Sequence, residues 1–230
     1  MGRYALIIGI EKYENFRDLG KAYEDAKALA AILREHGGYH IHPFPKRLNK
    51  SDKWELASDT TATKRELQEE FRVFIKDIAK GQDALIYFAG HGFEVDSLSG
   101  GGALATSDTT KDKERAITFH DLNNLVYQAD LSSLVVIIDC CYSGQLLERN
   151  IVNYSFQSFL LKKDYYFLTG CRPFELAREG SEHGIFTKAI LSGLSDKYAD
   201  EDGQIGIDRL FDYVSKELRD SGQEPIRLSG

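Results

Sequence analysis

The feature of this sequence that most constrains its fold is a run of five aliphatic residues, 134–138, that stops at an acid and two thiols. The run is mostly β-branched, which is typical of a strand buried on both faces of a parallel sheet. Open α/β sheets bind ligands at the carboxyl ends of their strands. Asp139, Cys140 and Cys141 are therefore predicted to lie where chemistry takes place.

A second predicted strand, residues 84–89, ends in a similar way at Gly90-His91-Gly92. One strand would then deliver a thiol and the other an imidazole to the same edge of the sheet, as a Cys/His nucleophilic dyad requires. Glycines beside the histidine let backbone N–H groups approach a ligand closely. The amide of Gly92 is consequently a candidate oxyanion donor.

Predicted strands alternate with predicted amphipathic helices along the whole chain. This alternation favours an α/β fold with a mainly parallel sheet, right-handed crossovers and helices on both faces. Thr63 and Glu66 fit a capping box at the start of one helix. Three polar or glycine-rich segments are predicted to be loops: 46–61, 93–102 and 145–164. Segments 46–61 and 145–164 are also candidates for disorder or excision. Further helices are predicted at 22–33, 118–130, 186–198 and 207–221, and further strands at 4–9, 39–44 and 165–169.

Composition narrows the class of protein. The 230 residues are 42% hydrophobic and 28% charged, which favours one globular domain. A net charge of −7 argues against a nucleic-acid partner. No apolar run approaches the ~20 residues of a membrane span, so no membrane partner is expected. Three cysteines, two of them adjacent, do not resemble a secreted disulfide framework and favour a reducing cytoplasm.

The cysteines have a chemical and a structural interpretation. Buried cysteines usually act as small hydrophobic residues, and this suits Cys140, next to the core strand, and Cys171. Cys141 precedes a Ser-Gly turn and is favoured as the nucleophile. A zinc site built from His91 and the three cysteines is disfavoured, because adjacent cysteines lack the usual Cys-x₂-Cys spacing. We therefore expect neither a metal nor a cofactor.

Cys141 follows His91 by 50 residues, which is the separation of these residues in caspases. The chain resembles the caspase-like cysteine peptidases, and metacaspases and prokaryotic relatives more than animal caspases. The likeness lies in several blocks that follow in order along the chain: LGKAYEDA at 19–26, FAGHG at 88–92, DCCYSG at 139–144, TGCRP at 169–173 and HGIFT at 183–187.

The resemblance implies a mechanism and a specificity. Cys141 would be the nucleophile and His91 the general base and acid, with the amides of Gly92 and Cys141 as oxyanion hole. Asp25 and Asp139 would line the primary specificity pocket, where two carboxylates favour Arg or Lys. The alternative to a pocket role is structural: Asp25 would be a solvated charge on the first helix, and Asp139 would cap the end of its strand and order the following turn. Ala89 and Ala22 replace the family's pocket Ser and Cys, which would make the pocket roomier or less polar.

The resemblance also implies an organisation into parts and a setting. A large-subunit-like part (1–149), a linker (150–163) and a small-subunit-like part (164–230) would form a single caspase-like domain. Self-processing of the linker of a basic-specific enzyme would occur after Arg149, Lys162 or Lys163. A bacterial stress or defence cascade, with a polypeptide substrate and a regulatory protein partner or trigger, is what the resemblance suggests.

Other interpretations stay open. Arg178 lies near where animal caspases place a residue that receives the substrate's Asp, and it would confer acidic specificity if it reached the pocket. A catalytically inactive caspase-like scaffold that recruits partners is a second alternative, because a protein can keep a fold without its activity. A nucleotide-binding domain is disfavoured, since no Gly-x-Gly-x-x-Gly follows the first strand. The acidic cluster that binds calcium in many metacaspases is not found in this sequence, where Asp96 and Asp108 are isolated, so calcium dependence is not expected.

Overall fold

The computed structural model describes residues 1–95, 102–140, 161–162, 164–170, 183–221 and 225–229. Its central element is a six-stranded sheet. In sheet order the strands are β11 (Ile226–Ser229), β10 (Tyr165–Thr169), β9 (Ser133–Cys140), β5 (Asp83–Gly90), β1 (Arg3–Gly9) and β2 (Tyr39–Phe44). All neighbouring pairs are parallel except β10 and β11. The carboxyl ends of the five parallel strands therefore share one edge.

Helices cover both faces of this sheet. On one face lie α1 (Ala22–Glu35), α4 (Ile185–Gly193) and α5 (Ile207–Leu218), which pack on alternate side chains such as Ile7, Tyr87 and Ile137. On the other lie α2 (Lys64–Val73) and α3 (Phe119–Tyr127), against the intervening side chains. This three-layer arrangement confirms the predicted α/β fold.

Capping chemistry explains where α2 and α3 begin. Thr63 accepts from the backbone of Glu66, whose carboxylate accepts from the backbone of Thr63 in return. Thr118 and Asp121 form the same reciprocal pair at α3. Each box satisfies two backbone donors that the first turn of a helix leaves open. The last turn of α2 continues as a π-helical segment, Phe74–Ile78.

Two predicted loops contain strands, which corrects those predictions. In segment 46–61, β3 (Lys46–Leu48) and β4 (Trp54–Leu56) form an antiparallel hairpin, fixed by the burial of Leu56 and an ion pair between Lys46 and Glu70. In segment 93–102, β6 (Gly92–Glu94) pairs with β7 (Gly102–Leu104), which pairs with β8 (Ile117–Thr118). Residues 96–101 lie outside the described part. Composition was a poor guide here for two reasons. Most side chains of β3 and β4 are exposed or half-buried, and β6, β7 and β8 are only two or three residues long.

The predicted ends of the helices differ from the observed ends more often than the predicted types of element differ from the observed types. The helix predicted at 186–198 ends at Gly193 and is followed by a 3₁₀ turn, Asp196–Tyr198, because glycine weakens a helix. The helix predicted at 118–130 ends at Tyr127, and the last helix ends at Leu218 before a 3₁₀ turn, Arg219–Ser221. The edge strand β11 was not predicted. Within the described ranges, every helix is too short or too polar to cross a membrane.

Candidate active site

The two strands that carry the predicted dyad are neighbours in the sheet. β5 and β9 pair in parallel with Gly90 opposite Cys140, so His91 and Cys141 are each the next residue in sequence after a paired position. Cys140 is 2% exposed and belongs to the core beneath α2 and α3, which agrees with its interpretation as a core residue. Cys141 itself lies outside the described residues.

The imidazole of His91 is fixed by the segment between β1 and α1. Its Nε2 atom lies 2.8 Å from the carbonyl oxygen of Arg17. A carbonyl oxygen only accepts, so Nε2 carries the proton and Nδ1 is left as the basic nitrogen. The backbone N–H of His91 donates to the hydroxyl of Tyr13 at 2.9 Å, and that hydroxyl donates to the carbonyl of Ile10 at 2.9 Å. Sequence reasoning assigned none of these partners to the site.

Aromatic rings enclose the same imidazole. The Tyr13 ring lies 4.6 Å from the His91 ring, centroid to centroid, and the Phe93 ring is stacked at 6.2 Å. Phe16 packs on Phe93 at 4.7 Å. Burial among these rings lowers the pKa of His91, against the opposing effect of the bond to Arg17. A neutral, basic imidazole is thus favoured over the imidazolium.

Two glycines permit the close packing around this edge. A side chain at Gly90 would come within 2.8 Å of the Tyr13 hydroxyl, and one at Gly9 within 2.6 Å of the Ala22 carbonyl oxygen. Gly90 thus lets Tyr13 reach the backbone beside His91, and Gly9 lets α1 lie directly on β1. Gly92 is buried and pairs with Leu104 at the start of β6, and its role as oxyanion donor stays a prediction.

The two predicted pocket acids line one small pocket. Asp25 comes from the first turn of α1 and Asp139 from the end of β9, and they are 2% and 3% exposed. The pocket has a volume of about 80 Å³ and its remaining walls are Leu19, Gly20, Lys21, Ala22, Ala89 and Gly90. The burial of Asp25 excludes the alternative of a solvated surface charge. Gly90, the residue before His91, forms part of the pocket wall, so the pocket lies next to His91 in the chain.

Asp25 is held by the residues in front of α4. Nδ1 of His183 donates to Oδ1 of Asp25 at 2.9 Å, and the Gly184 N–H lies 3.2 Å from each carboxylate oxygen. Burial, followed by the charge of Asp139, raises the pKa of Asp25 to about 6, although the bonds to His183 and Gly184 act in the opposite direction. Two buried acids of like charge are therefore kept close together, as pockets for cations require.

Asp139 is held by the first turn of α4. The Thr187 hydroxyl donates to Oδ2 of Asp139 at 2.6 Å, and the Tyr87 hydroxyl lies 2.6 Å from Thr187 Oγ1. Since the Thr187 proton is used on Asp139, Tyr87 is the donor to Thr187. Sequence reasoning recognised the HGIFT block but assigned none of its residues to the pocket.

Several predicted residues lie outside the described ranges, namely Arg149, Lys163, Cys171 and Arg178. Lys162 is described, and its ammonium donates to the carbonyls of Val126 at 3.1 Å and Ala129 at 2.6 Å. Among the described residues, no three His, Cys, Asp or Glu side chains cluster as metal ligands would. Asp108 is engaged in structural bonds to the Lys64 N–H and the Thr106 hydroxyl.

Comparison with known proteins adds a family and a fold. The family model of the caspase domain matches residues 2–229. Among solved structures, the crystal structure of protein GSU0716 from Geobacter sulfurreducens superimposes with a TM-score of 0.65 at 16% sequence identity, covering 99% of this chain and 93% of that one. At that identity the likeness concerns the fold alone. No curated protein sequence matches this chain.

Proposed function

Because this chain belongs to the caspase domain family, we propose that it is a cysteine endopeptidase that cleaves polypeptides after Arg or Lys. The observation that carries the specificity is the small pocket in which Asp25 and Asp139 are both buried. A pair of buried carboxylates favours a cation, and a guanidinium fits best because its N–H groups can bond both acids at once. Asp as the preferred substrate residue would instead add a third like charge.

His91 and Cys141 are the proposed catalytic residues. Cys140 is part of the core, so Cys141 is the remaining thiol of the adjacent pair. His91 is held with Nε2 toward Arg17, and Nδ1 is the atom that would take the thiol proton. The lowered pKa of His91 keeps this nitrogen unprotonated at neutral pH.

The reaction then follows the general course of thiol acyl transfer. The Cys141 thiolate attacks the scissile carbonyl, and amides such as that of Gly92 would stabilise the oxyanion. His91 returns the proton to the leaving amine as the peptide C–N bond breaks. Water hydrolyses the thioester with His91 again as base. These steps need no cofactor.

A panel of fluorogenic peptides ending in Arg, Lys or Asp tests the proposal. We expect turnover after Arg and Lys, at least about a thousandfold lower in Cys141→Ala, and a much higher KM in Asp139→Asn. Each peptide is measured with and without calcium. Cys140→Ala is the matched control, since its side chain belongs to the core.

The other outcomes discriminate the alternatives. Turnover after Asp would retain the dyad and contradict the assignment of the pocket, in favour of Arg178. No turnover on any peptide, together with no reaction of Cys141 with a peptidyl electrophile, would identify the chain as a scaffold that recruits partners. Activity that appears only with a protein trigger added would point to the regulatory partner that the resemblance suggests.

A further inference from the structure

Both pocket acids are bound by one short stretch of chain. His183 and Gly184, directly before α4, donate to Asp25, and Thr187, in the first turn of α4, donates to Asp139. Asp25 and Asp139 come from different elements, α1 and β9. The start of α4 therefore sets the distance between the two acids and the direction in which each carboxylate is held.

Of the two groups that donate to Asp25, His183 uses its side chain and Gly184 its backbone N–H. The His183 side chain is 24% exposed and the Asp25 side chain 3% exposed, so the histidine lies between solvent and a buried acid. A neutral imidazole donates one N–H to Asp25 and leaves the negative charge of the pocket intact. Asp139, from β9, is a second charge close to Asp25, and Lys21 lines the wall of the same pocket.

We propose that His183 is a positioning residue of the specificity pocket: its Nδ1–H keeps Asp25 ionised and oriented, so that the pocket binds a basic side chain at near-neutral pH. The proposal deepens the proposed function and rests on it. His183 acts through Asp25 and is not itself a catalytic residue. Its effect is on the affinity for the basic side chain, and the chemical step depends on other residues.

The balance of forces on Asp25 explains why a positioning residue is needed. Burial and the neighbouring Asp139 charge both disfavour the anion, and the bonds from His183 and Gly184 favour it. The Gly184 amide is fixed by the backbone, whereas the His183 bond depends on a side chain. Loss of the side-chain donor would let the proton stay on Asp25 up to a higher pH, and a neutral Asp25 attracts a cation poorly.

Two variants separate the hydrogen bond from the presence of an imidazole. His183→Ala removes the donor. His183→Asn keeps an amide N–H close to the position of Nδ1 but cannot become charged. His120→Asn is the control, because His120 is exposed on α3, which packs on the face of the sheet opposite to α1 and α4.

The first measurement is the titration of the Asp25 carboxyl carbon by ¹³C NMR, which requires no turnover. In His183→Ala we expect its midpoint to rise by about one pH unit, the size of effect of one lost hydrogen bond to a carboxylate. In His183→Asn the midpoint returns toward the wild-type value, and His120→Asn leaves it unchanged. An Asp25 midpoint equal in wild type and His183→Ala would overturn the proposal, whether or not the protein is a peptidase.

The second measurement is the pH dependence of KM for a peptide ending in Arg. A rise of about one pH unit would lower the ionised fraction of Asp25 at pH 6 from about a half to about a tenth, so KM for His183→Ala should be roughly fivefold higher there. At pH 8, where Asp25 is ionised in both proteins, the two values of KM should agree within about twofold. At each pH, kcat of His183→Ala should equal that of the wild type. A defect that is the same at every pH, and that His183→Asn does not correct, would show a merely structural role and contradict the proposal.

Discussion

His91 Nε2 lies 2.8 Å from the carbonyl oxygen of Arg17. This contact joins the end of β5 to the segment that follows β1, and it leaves Nδ1 as the basic nitrogen. The same contact orients the imidazole ring. A second hydrogen bond, from the His91 backbone N–H to the Tyr13 hydroxyl, fixes the main chain at this residue. The imidazole of His91, the proposed base, is therefore held by residues that precede α1 in the chain.

Tyr13→Phe tests this network. The substitution leaves the His91 N–H without its acceptor and the Ile10 carbonyl without its donor. We expect the free energy of unfolding to fall by about 1–3 kcal/mol, which is typical of buried polar groups that lose a partner. The kcat should fall while KM for an Arg peptide stays within about twofold. Urea unfolding and steady-state kinetics give both values.

Tyr127→Phe is the matched control, since Tyr127 is 65% exposed at the end of α3. It should change neither quantity. An unaltered kcat in Tyr13→Phe would show that the orientation of His91 does not depend on the tyrosine hydroxyl.

The pH dependences of kcat and KM are expected to differ. Burial lowers the pKa of His91, so its basic form persists below the pH at which an ordinary histidine is protonated. The pKa of Asp25 is raised to about 6, so the pocket loses negative charge at a higher pH than it would with an ordinary aspartate. As the pH is lowered from 8, KM for an Arg peptide should rise near pH 6, and kcat should decline at a lower pH than an ordinary histidine would give. Initial rates over a series of buffers test both expectations, and a KM that does not change near pH 6 would contradict the first.

Asp25→Asn should stabilise the fold and weaken substrate binding. An acid whose pKa is higher in the folded than in the unfolded state makes folding less favourable above its folded pKa, and this effect vanishes below its unfolded pKa. A shift from 3.8 to about 6 corresponds to about 3 kcal/mol at pH 8. We expect Asp25→Asn to gain about 2–3 kcal/mol of unfolding free energy at pH 8 and almost none below pH 4.

Urea unfolding of Asp25→Asn at the two pH values measures this difference, with the exposed Asp112→Asn as control. A loss of stability in Asp25→Asn at pH 8 would mean that the bonds to His183 and Gly184 outweigh burial and repulsion. In the same variant, KM for Arg peptides should rise at least about tenfold, because one of the two pocket charges is gone.

Lys162 is expected to anchor the chain and to resist self-cleavage in the folded protein. Its ammonium binds the carbonyls of Val126 and Ala129 and lies 5.1 Å above the Tyr165 ring. A side chain held in this way is not available to enter a substrate pocket. Lys162→Met should lower the unfolding free energy by about 1 kcal/mol and leave the positions of any self-cleavage unchanged. A fragment that ends at Lys162 and disappears in Lys162→Met would contradict this expectation.

Much of the fold could be predicted from the sequence because its signals are local. The aliphatic runs of β1, β5 and β9 indicate a buried parallel sheet, and Thr63 and Thr118 mark the starts of α2 and α3 through capping boxes. The hairpin of β3 and β4 and the edge strand β11 escaped prediction. Their side chains are largely exposed or half-buried, so no hydrophobic periodicity distinguishes them from loops.

Only those parts of the site could be predicted that are marked by the chemistry of a side chain at a recognisable position in the sequence. Asp25 and Asp139 were expected in one pocket and do line one. The Arg17 carbonyl was not predictable, because a backbone acceptor has no sequence signature. His183 and Thr187 are 158 and 48 residues away from the acids that they bind, and only the folded chain brings them together.

The most direct test of the central claim is active-site labelling with a peptidyl-arginine electrophile, followed by mass spectrometry of the digested protein. We predict a single adduct on Cys141 in the wild type, an unchanged yield in Cys140→Ala and a much slower reaction in His91→Ala. An aspartate version of the same reagent should label poorly. Equal labelling of Cys140 and Cys141, or labelling that does not depend on His91, would contradict a Cys141–His91 peptidase.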